Sequence, residues 1–189
     1  EQLEAAAADL AAAVLAAPPP SLRPAGGGAP LVRLVASSAA RFTAGGFSGA
    51  HYVRDDPNPH GAYVELEDTA SGRRIAYAAL SVYDPGKGVA CPWAPPGRAH
   101  SVAQVDRLAV LPEYRRRGAA AGMLRALGNA AAGLGYPMRI RTGSEEARAA
   151  FDASGVLVYE GQVVAAAERR GVNKKRRKKV YVDVVDVAP

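Results

Sequence analysis

The stretch from residue 104 to about residue 134 limits what this chain can fold into more than any other. It opens Gln104-Val105-Asp106-Arg107-Leu108-Ala109-Val110-Leu111-Pro112-Glu113-Tyr114 and continues Arg115-Arg116-Arg117-Gly118-Ala119-Ala120 into an Ala/Leu-rich run. Val105, Leu108, Val110 and Leu111 predict a short apolar strand. Pro112 and Glu113 then turn the chain into a helix, since proline's fixed φ suits a first helical position and an acid there complements the macrodipole. Between strand and helix, three cations sit beside residues small enough to let a ligand reach the main chain. A helix start offers unpaired N–H groups and partial positive charge, so this is anion-binding chemistry. A basic helix start simply solvated at the surface remains the plain alternative for the turn alone.

At 189 residues the chain fits one domain able to bury a substantial core. Alanine supplies roughly a fifth of it, and with three Phe and one Trp the core must lean on Val, Leu, Ala and eight Tyr. Cys91 is the one cysteine, which excludes an internal disulfide. No apolar run reaches the length of a membrane span and no signal-peptide pattern opens the sequence, so the expectation is a soluble intracellular protein. A start at Glu1 rather than Met predicts a processed or trimmed product. The net charge of +6 is local: residues 168–179 carry eight Lys/Arg and one Glu, and the rest of the chain sums to −1.

In chain order, residues 2–17 have strong helix propensity with a narrow stripe of Leu3, Leu10, Val14 and Leu15. Pro18-Pro19-Pro20 stops that helix, and the Gly/Pro/Ala segment to Pro30 reads as a flexible connector, making residues 1–30 an appendage to a domain spanning 31–189. Leu31 to Val35 predicts a first strand, followed by a Ser37-Ser38 cap and a short helix through Phe42. Residues 43–61 read as loop. Ala62–Asp68 and Arg74–Tyr83 predict strands joined at Thr69-Ala70-Ser71-Gly72. Residues 84–100, with Cys91, Trp93 and His100, form a loop long enough to be functional or disordered. Gly133-Leu134-Gly135 closes the helix that follows the arginines. Then come a strand at 137–142, a helix from a Ser144 cap to Ala153, and strands at 156–159, 162–167 and 180–187. The order β, α, β-β, β-α-β-α, β-β-β predicts a mixed α/β layer arrangement.

The strand, Leu-Pro-Glu-Tyr, Arg-x-x-Gly-x-Ala and long helix together resemble the coenzyme A-binding motif of the GNAT superfamily of N-acetyltransferases. That motif reads Gln/Arg-x-x-Gly-x-Gly/Ala and is met by Arg115, Gly118 and Ala120. The resemblance is specific over 104–128, fair over 136–160 and loose elsewhere. Arg116 departs from it, standing where the family commonly has glycine. The resemblance implies a central mixed β-sheet flanked by helices, in which two neighbouring parallel strands, here 104–111 and 137–142, splay apart and admit acetyl-CoA. It implies that the main chain of Arg115, Arg116, Arg117, Gly118, Ala119 and Ala120 holds the diphosphate. Leu108, Ala109 and Val110 would pair with the pantetheine arm and polarise the thioester carbonyl.

The resemblance also places Asp106 where many family members carry a carboxylate base, acting directly or through water; an ion pair with Arg107 or another Arg is the structural alternative. The family's tyrosine acid falls on Phe151 within Ala147 to Gly155, and phenylalanine donates no proton. Tyr159 is the candidate substitute. Ser144 matches the residue that often faces the pantetheine, though helix capping explains it equally. Asp55, Asp56, His51 and His60 are candidates to meet the acceptor amine, against the reading of a plain turn. No metal is implied.

The run Asn173 to Lys179 reads as a solvated loop, as a patch for nucleic acid or another polyanion at 174–179, or as a nuclear import signal. The expected function is acetyl-CoA-dependent transfer of an acetyl group to an amine by direct attack. The alternative is a coenzyme A-binding module with little turnover, acting as a subunit of a larger assembly.

Overall fold

A computed structural model describes residues 2–24, 28–51, 57, 59–83, 101–136, 138–142, 149–150, 153–155, 158–162 and 183–187. Their elements run α1 (Gln2–Leu15), β1 (Val32–Ala36), α2 (Arg41–Ala44), α3 (Phe47–Ala50), β2 (Ala62–Asp68), β3 (Arg74–Tyr83), β4 (Val102–Val110), a 3-10 turn (Pro112–Tyr114), α4 (Ala119–Gly133), β5 (Met138–Thr142), β6 (Val158–Gln162) and β7 (Asp183–Val187). The strands form one seven-stranded mixed sheet in the order β1-β2-β3-β4-β5-β7-β6. All neighbours are antiparallel except β4 and β5.

The β2–β3 hairpin falls where its turn chemistry places it. Ser71 Oγ donates to Asp68 Oδ2 at 2.8 Å and Ala70 N–H to Oδ1 at 3.0 Å. These bonds, the Ser71 hydroxyl foremost, hold the Asp68 carboxyl below the usual carboxylate range. Gly72 supplies the positive φ of 68° that closes the turn.

Two cores sit on opposite faces of the sheet, as strict alternation of side chains requires. On one face, Val64, Leu66, Ala76, Ala78, Leu80 and Val105 pack with Met123, Leu124 and Leu127 of α4. On the other, Tyr77, Ala79 and Ala109 pack with Phe42 of α2 and Phe47 of α3, the two phenyl centroids 5.3 and 5.4 Å from the Tyr77 ring.

The first correction concerns α1. Expected as an appendage, it lies in the first core, with Ala7, Leu10 and Val14 each 1% exposed. The buried stripe takes Ala7 in place of Leu3, which is 37% exposed. The connector is likewise tied down over the described part: Leu22 is buried, and Arg23 N–H donates to the Arg117 carbonyl at 2.8 Å. A second correction is that Pro112 opens only one 3-10 turn, and the long helix starts at Ala119. A third is that α2 gains no side-chain cap from Ser37 or Ser38, and α3 forms inside the expected loop. The C-terminal end of α4 is as read: Gly135 N–H reaches the Ala132 carbonyl and Tyr136 N–H the Ala131 carbonyl, with Gly135 at φ 76°. β6 runs through Gly161, where a break was expected.

On the α2/α3 face, two buried acids of β2 meet three arginines. Arg33 donates to Glu67 from Nε and Nη2 at 2.7 and 2.6 Å. Arg74 bridges Glu65 at 3.0 Å and Glu67 at 2.7 Å, and Arg41 approaches Glu65 at 3.4 Å. Glu65 and Glu67 stand two residues apart on one strand, so they share a face and their like charges require these cations. Glu65→Ala is expected to cost about 2–3 kcal/mol in urea unfolding, moderated because Arg41 and Arg74 keep access to water.

Candidate active site

Among the described residues the parallel pair β4–β5 is joined only at Ala103–Met138, Gln104–Arg139 and Val105–Ile140. Beyond Val105, β4 continues to Val110 paired with β3 alone, while Arg141 and Thr142 of β5 pair with β7. The two strands therefore part at Val105, leaving β4 from Asp106 onward without a strand partner on the β5 side among the described residues. Leu108, Ala109 and Val110 lie along this opened edge.

At the same point β4 carries one residue more than β3. Arg107 faces Ala79 and Val105 faces Leu80, so Asp106 is the surplus residue of a β-bulge. The bulge turns its half-buried carboxylate toward the α2/α3 side, where Gln104 Nε2 donates to Oδ1. Among the described residues Asp106 has no ion pair. Arg107 instead donates to the Asp106 carbonyl at 2.8 Å, and its Nε is buried with no partner among the described residues. The Tyr63 phenol shares this region. Burial raises its pKa above the ordinary value, the Gly61 N–H bond opposes the rise, and the charge of Asp106 adds to it. Tyr63 is thus a donor at neutral pH rather than a base.

Past the strand, Arg115 to Gly118 form a loop whose backbone is set by two left-handed residues, Arg116 at φ 61° and Gly118 at φ 90°. Gly118 is the N-cap of α4 and gives no side-chain bond, and the first amide closed inside is that of Gly122, on the Gly118 carbonyl at 2.8 Å. Among the described residues the amides of Arg116 through Ala121 find no acceptor, so the helix start is uncapped. The side chains behave differently from a simple cationic cluster. Arg115 donates to the carbonyls of Val110 at 3.2 Å and Ala50 at 2.9 Å, tying the loop to the end of α3. Arg117 lies over the Tyr114 ring at 5.3 Å, with Arg73 near the same ring at 5.6 Å. The side chains of Arg115 and Arg117 brace the loop.

Gly118→Ala is expected to cost about 1 kcal/mol by the penalty of the left-handed region alone, because a Cβ there meets only Ser21 O at 3.8 Å. Arg116→Gly is expected to be near neutral, relief of the same strain being offset by added unfolded-state entropy. Denaturant midpoints of the two variants check the pair.

The remaining candidates are dispersed. Tyr159 lies in β6, and since β5 and β7 stand between it and β4, the strand order does not bring it beside Asp106. His60 pairs with Glu4 of α1 at 2.7 Å, and His51 stacks edge-on to Phe42. Ser144, Phe151, Asp55, Asp56, Cys91, Trp93 and the basic run 168–179 lie outside the described residues. Among those described, no group of His, Cys, Asp and Glu is arranged to hold a metal ion, and no helix is long and apolar enough to cross a membrane.

A model of the GNAT acetyltransferase family matches residues 34–155. The chain belongs to this family, and its class of reaction is acetyl transfer. No curated protein matches the sequence. Solved structures share the fold at low identity. A putative arylalkylamine N-acetyltransferase 7 from the yellow fever mosquito superposes with TM-score 0.56 at 11% identity, covering 88% of this chain and 90% of that one. A bacterial toxin gives TM-score 0.55 at 14% identity, covering 84% and 91%. A mosquito arylalkylamine N-acetyltransferase-like protein 5b gives 0.51 at 12%, covering 82% and 97%.

Proposed function

We propose that the chain is an N-acetyltransferase that takes its acetyl group from acetyl-CoA and passes it to an amine by direct attack. The observation that carries this reading is the coincidence of two features at one edge: β4 and β5 part at Val105, and the uncapped amides of Arg116 to Ala121 open where β4 leads into α4. The residues fit the co-substrate. Unpaired amides and a helix start suit a diphosphate, Ala119 and Ala120 leave the main chain approachable, and the free edge of Leu108 to Val110 suits an amide-bearing arm.

In this reading a main-chain N–H at Leu108 to Val110 holds the thioester oxygen as charge develops on it. The amine nitrogen attacks the carbonyl carbon, the C–S bond breaks, and the ammonium proton passes to Asp106, directly or through one water. The thiolate leaves as the weak base it is, without a protein acid, which accords with Phe151 in the tyrosine slot and with Tyr159 on a distant strand. The resemblance gives Ser144 and Phe151 to the pantetheine.

Thermal unfolding with acetyl-CoA tests the pocket. At a ligand concentration one hundred times Kd the native state gains about 2.7 kcal/mol, and an unchanged midpoint would remove the reading. Thiol release over a panel of small amines, peptides and polyamines then tests turnover. Phe151 in place of tyrosine favours the second reading, a coenzyme A-binding module, and that reading stands if the midpoint rises while every acceptor gives no thiol. A polyanion partner at 174–179 would show as nucleic-acid binding that falls steeply with salt.

A further inference from the structure

The residues that grip the loop from behind lie outside the stretch matched by the family, which begins at residue 34. Leaving α1, the chain passes Pro18-Pro19-Pro20, a sequence stiff by composition, and reaches the first turn of α4. There Pro20 packs so tightly on Gly122 that a Cβ added to the glycine would overlap Pro20 Cβ and stand 3.0 Å from its Cγ. Ser21 O faces Gly118 within van der Waals range of an added Cβ, Leu22 is buried in the first core, and Arg23 N–H holds the Arg117 carbonyl at 2.8 Å. The anchors of this segment are α1, packed into the core through Ala7, Leu10 and Val14, and Leu22 itself.

These contacts bracket the strained part of the loop. Arg117 stands between the two left-handed residues, Arg116 and Gly118, and its carbonyl is the one fixed from outside. An arrangement that costs backbone energy persists only when its surroundings over-determine it. Few other contacts hold the loop's main chain: Arg115 N–H donates to the Pro112 carbonyl at 3.2 Å, and the Gly118 carbonyl accepts from Gly122 within α4.

We propose that Pro18 to Arg23 form a strap that positions the diphosphate-binding loop, so that residues upstream of the family-matched stretch belong to the co-substrate site. Resting on the coenzyme A reading above, the inference adds that affinity for the nucleotide end is set from α1 and its proline segment. Arg23 is the positioning residue in this account, acting through the Arg117 carbonyl, and the close approach at Pro20 and Gly122 sets how near the strap lies to α4.

The test is calorimetric titration of the full chain with coenzyme A. Gly122→Ala drives Pro20 off the helix while improving the helix propensity at that site, so the fold should persist. Arg23→Pro deletes the N–H that holds Arg117. Each is expected to weaken binding roughly tenfold, the scale on which small misplacements act, and the double variant Pro20→Gly/Gly122→Ala, which clears the overlap, to restore it. In turnover, KM for acetyl-CoA should rise while kcat and the acceptor's KM hold. Single variants that bind as the parent does overturn the strap and leave the coenzyme A reading intact. Weak binding by Gly122→Ala that the double variant fails to restore assigns the loss to the helix and also overturns it. A parent that does not bind coenzyme A removes both.

Discussion

Asp106→Asn lowers kcat by about two to four orders of magnitude while the Kd for coenzyme A stays within about twofold of the parent, if this carboxylate takes the proton. The expectation follows from where the residue sits. Asp106 is the surplus residue of the bulge, it borders the point where β4 leaves β5, and its one described side-chain partner is the amide of Gln104. Asparagine keeps the size and accepts the same hydrogen bond, so the change removes basicity and little else. Steady-state rates at saturating acetyl-CoA, paired with calorimetry, separate the chemical step from binding. An unchanged kcat would assign proton removal elsewhere, and a parallel loss of coenzyme A affinity would show that the variant disturbs the bulge itself.

Leu10→Ala lowers the stability of the whole domain by about 2–5 kcal/mol, the range for truncating a fully buried leucine. The same change in a loosely attached helix would cost a few tenths. Urea midpoints followed by the near-ultraviolet signal of buried tyrosine, Tyr77 among it, and by far-ultraviolet circular dichroism should move together, since α1 packs against β2, β3 and α4 in one core. A midpoint equal to the parent's would return α1 to the status of an appendage. Because α1 also leads into the proline segment against α4, Leu10→Ala further offers a check on how far its packing is felt at the loop.

The β2–β3 hairpin was legible to the residue because Asp68, Ser71 and Gly72 carry turn chemistry that acts locally. The end of α4 was legible for the same reason, Gly135 supplying the positive φ that the capping motif needs. The packing of α1 was hidden by alanine: Ala7 and Ala11 mark the inward face as much as Leu10 does, and alanine carries little signal of which side is wet. The pair Glu65 and Glu67 left a trace, two acids in phase along a strand, but their three cations come from β1, α2 and β3 and meet only in the fold.

The bulge had a readable sign that apolar spacing alone did not reveal. Inward residues of β4 fall on odd numbers at Ala103 and Val105 and on even numbers at Leu108 and Val110. Such a change of phase within one strand demands a surplus residue between them. The family resemblance gives the diphosphate to the main chain of Arg115 to Ala120, and it carries no sign that the side chains of Arg115 and Arg117 serve as internal braces, through Ala50, Val110 and Tyr114.

Val105 opposite Leu80 and Arg107 opposite Ala79 would follow each other in perfect alternation if the residue between them were missing. The hydrogen-bonded scaffold thus derives no benefit from position 106, and a chain shortened there would zip shut into an ordinary ladder. In the proposed mechanism the proton acceptor therefore stands at a position the ladder does not use.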